Sequence, residues 1–331
     1  MLVPAAVSSV IEQNPERAVP SKAVTDRTVV GVLALLASTV LFPMSDMVAK
    51  TLTTSLSGLE VAWMRYVVLV MVVVPIIVRS RAAITASRVG LQVVRGVASA
   101  VATALAIVSF SFLPVADATA IGFVTPLIVT GLAVVVLKEK VGWRRWLAAF
   151  VGFCGILIIV QPGSGAFQTA TILPLVASVF SASTVIVTRL GKAERVDTTI
   201  ACSALIGLIL LSGAVLFAWR TPSGHEIELG LLMGLLGAAA TVMQVIAYRC
   251  APSSMLAPFS YTQLIWAGGL GWLVFGTVPG PAMLTGSAII VGSGLFVACR
   301  ERAVGAAKQR RSWTQLREEF ARLRPVGRAA A

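Results

Sequence analysis

The chain has 331 residues, of which 57% are hydrophobic and only 12% charged, with a formal net charge of +13. A soluble domain carries roughly a quarter charged residues, so there is too little polar material here for a water-facing shell, and lipid is the solvent the composition fits. Four cysteines lie far apart with no CxxC pair, and the sole histidine, His225, has no partner for a zinc or triad constellation; neither a disulfide framework, a metal site nor a cofactor is expected.

Residues 1–27 read as a short cytoplasmic tail, since Glu12 and Glu16 and the late basic residues do not fit a signal peptide. A helix needs about 20 apolar residues to cross the hydrocarbon core. Ten runs approach or meet this: 28–50, 58–78, 89–112, 115–137, 144–160, 169–189, 198–219, 229–249, 254–275 and 282–299. Glycine and proline punctuate the gaps, as at Pro162-Gly163 and Pro279-Gly280-Pro281. The runs lack the period-two alternation of a β-barrel. The expected fold class is therefore an all-α integral membrane protein with ten transmembrane helices.

Orientation follows from lysine and arginine. With a cytoplasmic N-terminus, 23 of the 27 basic residues fall on inside segments and only Lys50 and Arg220 outside, while Arg65 and Arg95 remain within the membrane. The net positive charge is thus explained by topology, with the lipid bilayer rather than nucleic acid as partner, and both termini are expected to be cytoplasmic. The chain also repeats itself. A constant offset of 138 aligns Phe110 with Tyr248, Pro114 with Pro252, Phe123 with Tyr261 and Gly131 with Gly269. With five helices per half, the second half enters the membrane upside down, an arrangement of transporters with a site near the midplane. The expected halves are 28–161 and 162–301.

The stretch Leu113-Pro114-Val115-Ala116-Asp117-Ala118-Thr119-Ala120, then Thr125-Pro126 and Lys138-Glu139-Lys140-Val141-Gly142-Trp143, closely resembles the EamA domain of the drug/metabolite transporter superfamily. Ala251-Pro252-Ser253-Ser254, Tyr261-Thr262-Gln263 and Gly271-Trp272 look like its second copy. The resemblance spans about Val29 to Glu301 and is closest in flavour to a bacterial subgroup that includes S-adenosylmethionine and riboflavin importers. It implies an inner-membrane carrier whose cavity is lined by the first, third, fourth, sixth, eighth and ninth helices. One departure is Thr277, where the family often repeats the glutamate seen here at Glu139.

An ionisable residue within a membrane span is a functional candidate by default. Arg95 lies about 9 Å into the third span; it either snorkels to the cytoplasmic interface or faces the cavity and binds an anionic group. Asp46 is read as a proton or substrate-cation site or as part of a structural ion-pair network, whereas Glu60 and Arg65 are read as structural. Gln244, Tyr248, Tyr261, Gln263 and Trp266 supply polar and aromatic groups suited to a flat or cationic ligand, and Phe123 corresponds by symmetry to Tyr261 at an equivalent depth on the opposite half, both expected to line the cavity. Small residues such as Gly96, Ser99, Gly237 and Ala238 are assigned to helix packing. Pro126 and Pro258 are expected to bend cavity-lining helices.

Residues 302–331 form a basic tail in which Trp313, Leu316, Phe320 and Leu323 make one helical stripe suited to an anionic membrane surface. No GxxxxGK[ST] loop or catalytic constellation is present. The reading is secondary active transport of a small polar or amphipathic metabolite by alternating access, with no enzymatic activity. A non-transporting receptor or scaffold, or a membrane-embedded enzyme, is the alternative, and the sequence leaves a homodimer open.

Overall fold

The computed structural model describes residues 22–79, 89–138, 143–161, 169–190, 196–296 and 299. The basic tail beyond 300, Glu139 and most of the loop arginines and lysines lie outside the described residues. What is described is helical and contains no strand. In chain order the helices are α1 (Lys22–Leu52), α2 (Gly58–Arg79), α3 (Val89–Phe110), α4 (Val115–Gly122), α5 (Thr125–Leu137), α6 (Trp143–Val160), α7 (Ile172–Leu190), α8 (Val196–Val215), α9 (Gly224–Cys250), α10 (Ser253–Ser260) and α11 (Thr262–Phe275), followed by α12 (Pro281–Phe296). Among the described residues, five helical stretches are long and apolar enough to cross a membrane: Arg27–Leu52, Val89–Phe110, Val115–Leu137, Thr169–Leu190 and Gly224–Cys250. Large apolar side chains such as Phe217, Val135, Ile265 and Leu273 stand exposed on the outer faces of the bundle. Water would penalise that surface; hydrocarbon does not.

Two runs that read as single spans are each broken in two. α4 ends at Gly122, α5 starts at Thr125, and Pro126 sits in the first turn of α5, where its missing N–H costs nothing. α10 ends at Ser260 and α11 starts at Thr262, with Pro258 inside α10. The breaks stay close to helical geometry: Val124 and Tyr261 keep right-handed backbone angles. The Val124 carbonyl still accepts from Ile128 and the Tyr261 carbonyl from Leu264. α4 and α10 begin at Val115 and Ser253 behind Pro114 and Pro252, and α5 and α11 end on left-handed residues Lys138 and Gly276.

Helix packing is dominated by α1 against α9 and by α3 against α7, with α8 wedged against both α2 and α3. In a membrane, close approach needs small residues because apolar side chains gain little by leaving lipid. Gly230, Gly234 and Gly237 line the α9 face toward α2, where an added Cβ would collide with Val68 at Gly234 and meet Met64 and Arg65 at 2.9 and 3.1 Å at the other two. Gly207 on α8 leaves room for the Tyr66 ring, and Gly155 on α6 and Gly286 on α12 bring two backbones into direct contact.

The largest apolar cluster seals one end of the bundle. It joins Leu52 and Leu56, Val61 and Ala62, Ile107, Phe110 and Leu113, and reaches Leu211 and Met233. Polar contacts tie the same end together. Lys50 Nζ donates to the carbonyls of Phe110 and Leu113 at 3.1 and 2.7 Å and lies over the Phe275 ring. Trp63 Nε1 donates to Ser212 Oγ at 2.9 Å, and its ring meets Trp219 edge-on.

Replacing Gly234 with Val is expected to push α9 off α2 and lower stability by about 1–3 kcal/mol, the usual cost of overpacking. A thermal or denaturant midpoint in detergent within error of the parent would contradict the packing described.

Candidate functional site

Between the helices lie two adjoining pockets of about 220 Å³ and 400 Å³, lined by apolar and polar side chains. Phe42, Arg65, Ser99 and Thr103 line both chambers and so mark where they join. The smaller chamber adds Tyr66, Arg95, Ser203 and Thr241; the larger adds Asp46, Ser181, Thr184 and Gln263. Its walls thus come from α1, α2, α3, α7, α8, α9 and α11.

The centre of the site is an ion pair. Arg65 Nη2 donates to Asp46 Oδ1 and to Ser45 Oγ, both at 2.9 Å, and the two charged side chains are only 15% and 13% exposed. Ser45 Oγ in turn donates to the Met233 carbonyl at 2.8 Å. The sequence places Asp46 on α1 and Arg65 one turn and more inside α2; the bare face of Gly237 on α9 lets the guanidinium lie between them, 3.1 Å from where a Cβ would stand. A carboxylate buried this far from water is tenable only with such a partner. One chain of contacts therefore links α2, α1 and α9 through the cavity wall.

Arg95 supplies the second guanidinium. Its Nε donates to Thr188 Oγ1 at 2.7 Å, and its Nη1 donates to Ser203 Oγ. Arg95, Ser99 and Thr103 follow each other at four-residue spacing and form one polar stripe on an apolar helix. Ser181, Thr184 and Thr188 make a similar stripe on α7. The cavity thus offers two fixed cations, one carboxylate and a ring of hydroxyls, an arrangement able to hold a ligand carrying both an anionic and a cationic group. Among the described residues no group of three metal-ligating side chains is found.

Of the residues selected by sequence, Arg95, Asp46 and Gln263 line these chambers. Gln244, Tyr248 and Trp266 lie outside both; Tyr248 is half-exposed and Trp266 44% exposed. Phe123 and Tyr261 meet each other instead, with ring centroids 5.2 Å apart, so the two helix breaks touch through their aromatic residues. Tyr261 is buried, and its hydroxyl occupies the space left by Gly294. Arg65, Ser99, Gly237 and Ala238, assigned to structure and packing from sequence, line the cavity as well. For Ser99 a signal existed: hydroxyls four and eight residues along from an intramembrane arginine.

Residues 29–161 match the EamA-like transporter family. An S-adenosylmethionine uptake transporter of Rickettsia prowazekii is 25% identical over 280 residues, covering 84% of this chain and 95% of that one. A riboflavin transporter of Rhizobium johnstonii is 29% identical over 277 residues, covering 82% and 91%. A pseudopaline exporter of Pseudomonas aeruginosa is 22% identical, covering 79% and 93%. A solved crystal structure shares the fold with a TM-score of 0.60 at 15% identity, covering 85% of this chain and 99% of that one. The long apolar helices are those of a multi-pass membrane protein. Similarity of residues 29–161 to that family, and of most of the chain to named transporters, supports a membrane metabolite transporter.

Removing Arg65 strands the Asp46 carboxylate in a nearly dry site, so Arg65→Ala is expected to cost about 3–5 kcal/mol. Asp46→Asn combined with Arg65→Gln is expected to cost less than the sum of the two single changes. Denaturant midpoints in detergent check this; strict additivity would mean that the pair is not coupled.

Proposed function

We propose that the protein is a secondary active carrier of the inner membrane, made of ten spans in two inverted halves, 28–161 and 162–301, with both termini cytoplasmic. The observation that carries the reading is the cavity between the halves, closed at one end by the Leu52–Leu211 apolar cluster. Alternating access needs such a site, with one end sealed at a time.

Pseudosymmetry supports the same reading. Moving five spans along the chain exchanges α3 packed on α7 with α9 packed on α1, and α3 on α8 with α9 on α2. The paired breaks and left-handed caps at offset 138 fit this exchange. The 23-to-2 distribution of basic residues supports the orientation.

The substrate proposed is a small polar metabolite that carries a carboxylate and a cationic centre. Arg95 would receive the first, and Asp46 the second once substrate competes with Arg65 for it. S-adenosylmethionine has these groups and riboflavin lacks them; both are named for relatives, so both serve as trial substrates. In this scheme Gln263 completes the larger chamber, while Phe123 and Tyr261 form the contact about which the two broken helices move.

Two measurements test the reading. Reporter fusions at Gly163 and Gly224 are expected to read as periplasmic, and a cytoplasmic reading at either sinks the ten-span topology. Counterflow in proteoliposomes is expected with S-adenosylmethionine, and Arg95→Ala is expected to reduce it at least about tenfold, the loss of one charge-assisted contact. Unchanged flux in Arg95→Ala would remove Arg95 from the site; absence of flux with a full metabolite extract would favour a receptor or scaffold.

A further inference from the structure

Glu60 sits in the first turn of α2, at the end of the bundle sealed by the apolar cluster. It is fully buried, with 0% exposure. Among the described residues neither carboxyl oxygen has a hydrogen-bond partner. The charged groups that act on it are Arg220, on the segment joining α8 to α9, and Glu226, in the first turn of α9; the Arg220 backbone N–H and charge approach the Glu60 carboxyl, while the Arg220 guanidinium is held by Glu226.

The local sequence explains the imbalance. Ser57-Gly-Leu-Glu60 and Ser223-Gly-His-Glu226 are two copies of one helix-starting pattern, S-x-x-E. In the second the box is complete. Ser223 Oγ accepts from the Glu226 N–H, the Glu226 carboxylate accepts from the Ser223 N–H at 2.7 Å, and Arg220 Nη2 clamps both its oxygens at 2.7 and 2.9 Å. In the first only half forms: the Glu60 N–H donates to Ser57 Oγ at 3.2 Å, and the carboxyl does not close the box. Two carboxyl groups therefore face one arginine, and Glu226 holds it.

Burying a carboxylate away from solvent with no side-chain donor is costly; the neighbouring Glu226 charge adds to the cost, and the Arg220 N–H and charge offset part of it. The acid form avoids both costs. We propose that Glu60 is a proton-binding site and that closure of the outer end of the carrier requires its protonation.

On closing, the Glu60 carboxylate takes one proton from the outer water. On opening, α2 parts from the 218–226 segment, water reaches the carboxyl, and the proton returns to the outside. No net proton movement across the membrane is needed. The sign is fixed by linkage: the closed form holds the extra proton, so acid outside favours closure and alkali favours opening. Ser57 Oγ lies 3.4 Å from the Ala218 carbonyl, so Glu60 is placed at the joint that must part. This inference rests on the alternating-access reading above, with the sealed end facing outward.

The test uses the full chain in sealed right-side-out vesicles, in a background without the four native cysteines. Thr103→Cys, in the cavity wall, is labelled from outside by a membrane-impermeant maleimide. Its rate is divided by that of exposed Thr221→Cys, which cancels the ionisation of the thiol itself. Between external pH 5 and 8 this ratio is expected to rise on the order of tenfold. Glu60→Gln, a neutral copy of the acid, is expected to hold the ratio low at every pH, and Glu60→Asp to keep a slope. Glu226→Gln releases Arg220 to pair with an ionised Glu60 and is expected to flatten the profile; it decides between the outcomes if Glu60→Gln fails to reach the membrane. A flat parent profile, or a slope that survives Glu60→Gln, overturns the proposal. Counterflow measured on the same vesicles separates the two readings: flux with a flat profile leaves transport standing and removes the proton site, whereas a pH-dependent ratio without flux of any metabolite does the reverse.

Discussion

Hydrocarbon offers no hydrogen bonds, and the architecture follows from that constraint. Each backbone N–H and C=O must find its partner within the chain, so the spans are helices. Departures from the helix are confined to places where neighbouring protein compensates. The breaks at Phe123–Val124 and Tyr261 keep helical angles and leave few carbonyls without donors. Where the chain turns at the Leu52 end, the Lys50 ammonium satisfies the Phe110 and Leu113 carbonyls.

The same constraint governs the charges. Asp46 and Arg65 are both nearly buried, and neither would be tolerated alone; joined, they cost little and fix α1, α2 and α9 through Ser45 and the Met233 carbonyl. Glycine is what makes the meeting feasible. With side chains at Gly234 and Gly237, α9 would stand off from α2 and the arginine would lose its seat. Packing and polar chemistry thus depend on the same few small residues, and the line between a packing residue and a cavity residue is not sharp here. Ser99 and Ala238 do both.

The cavity and the seal differ in kind. The cavity wall carries hydroxyls and guanidinium groups set among apolar side chains such as Phe42, Leu69 and Ile200. The seal is an apolar cluster edged by hydrogen bonds, Trp63 to Ser212 and Lys50 to backbone carbonyls. Opening it exposes apolar surface and frees several donors together, which favours a two-state movement over a gradual one. A buried carboxyl such as Glu60 at that boundary makes the balance between the states depend on protons.

Much of this was legible in the sequence, because lipid imposes long apolar helices and hydropathy reads them directly. The all-helical, membrane-spanning character and the polar status of Asp46, Arg95 and Gln263 need no coordinates. What the sequence could not decide was partnership. Phe123 and Tyr261 have the composition of a ligand site, yet they spend their faces on each other, because the two breaks meet. Arg65 reads as structural from the sequence, but its pairing with Asp46 lies in the cavity wall, since Gly237 leaves the space beside it. Glu60 and Glu226 carry the same local pattern, and only the fold gives the arginine to one and leaves the other bare. Local sequence sets which groups enter the membrane; the distances between helices, fixed by glycine contacts remote in sequence, decide which of those groups are satisfied and which remain to do chemistry.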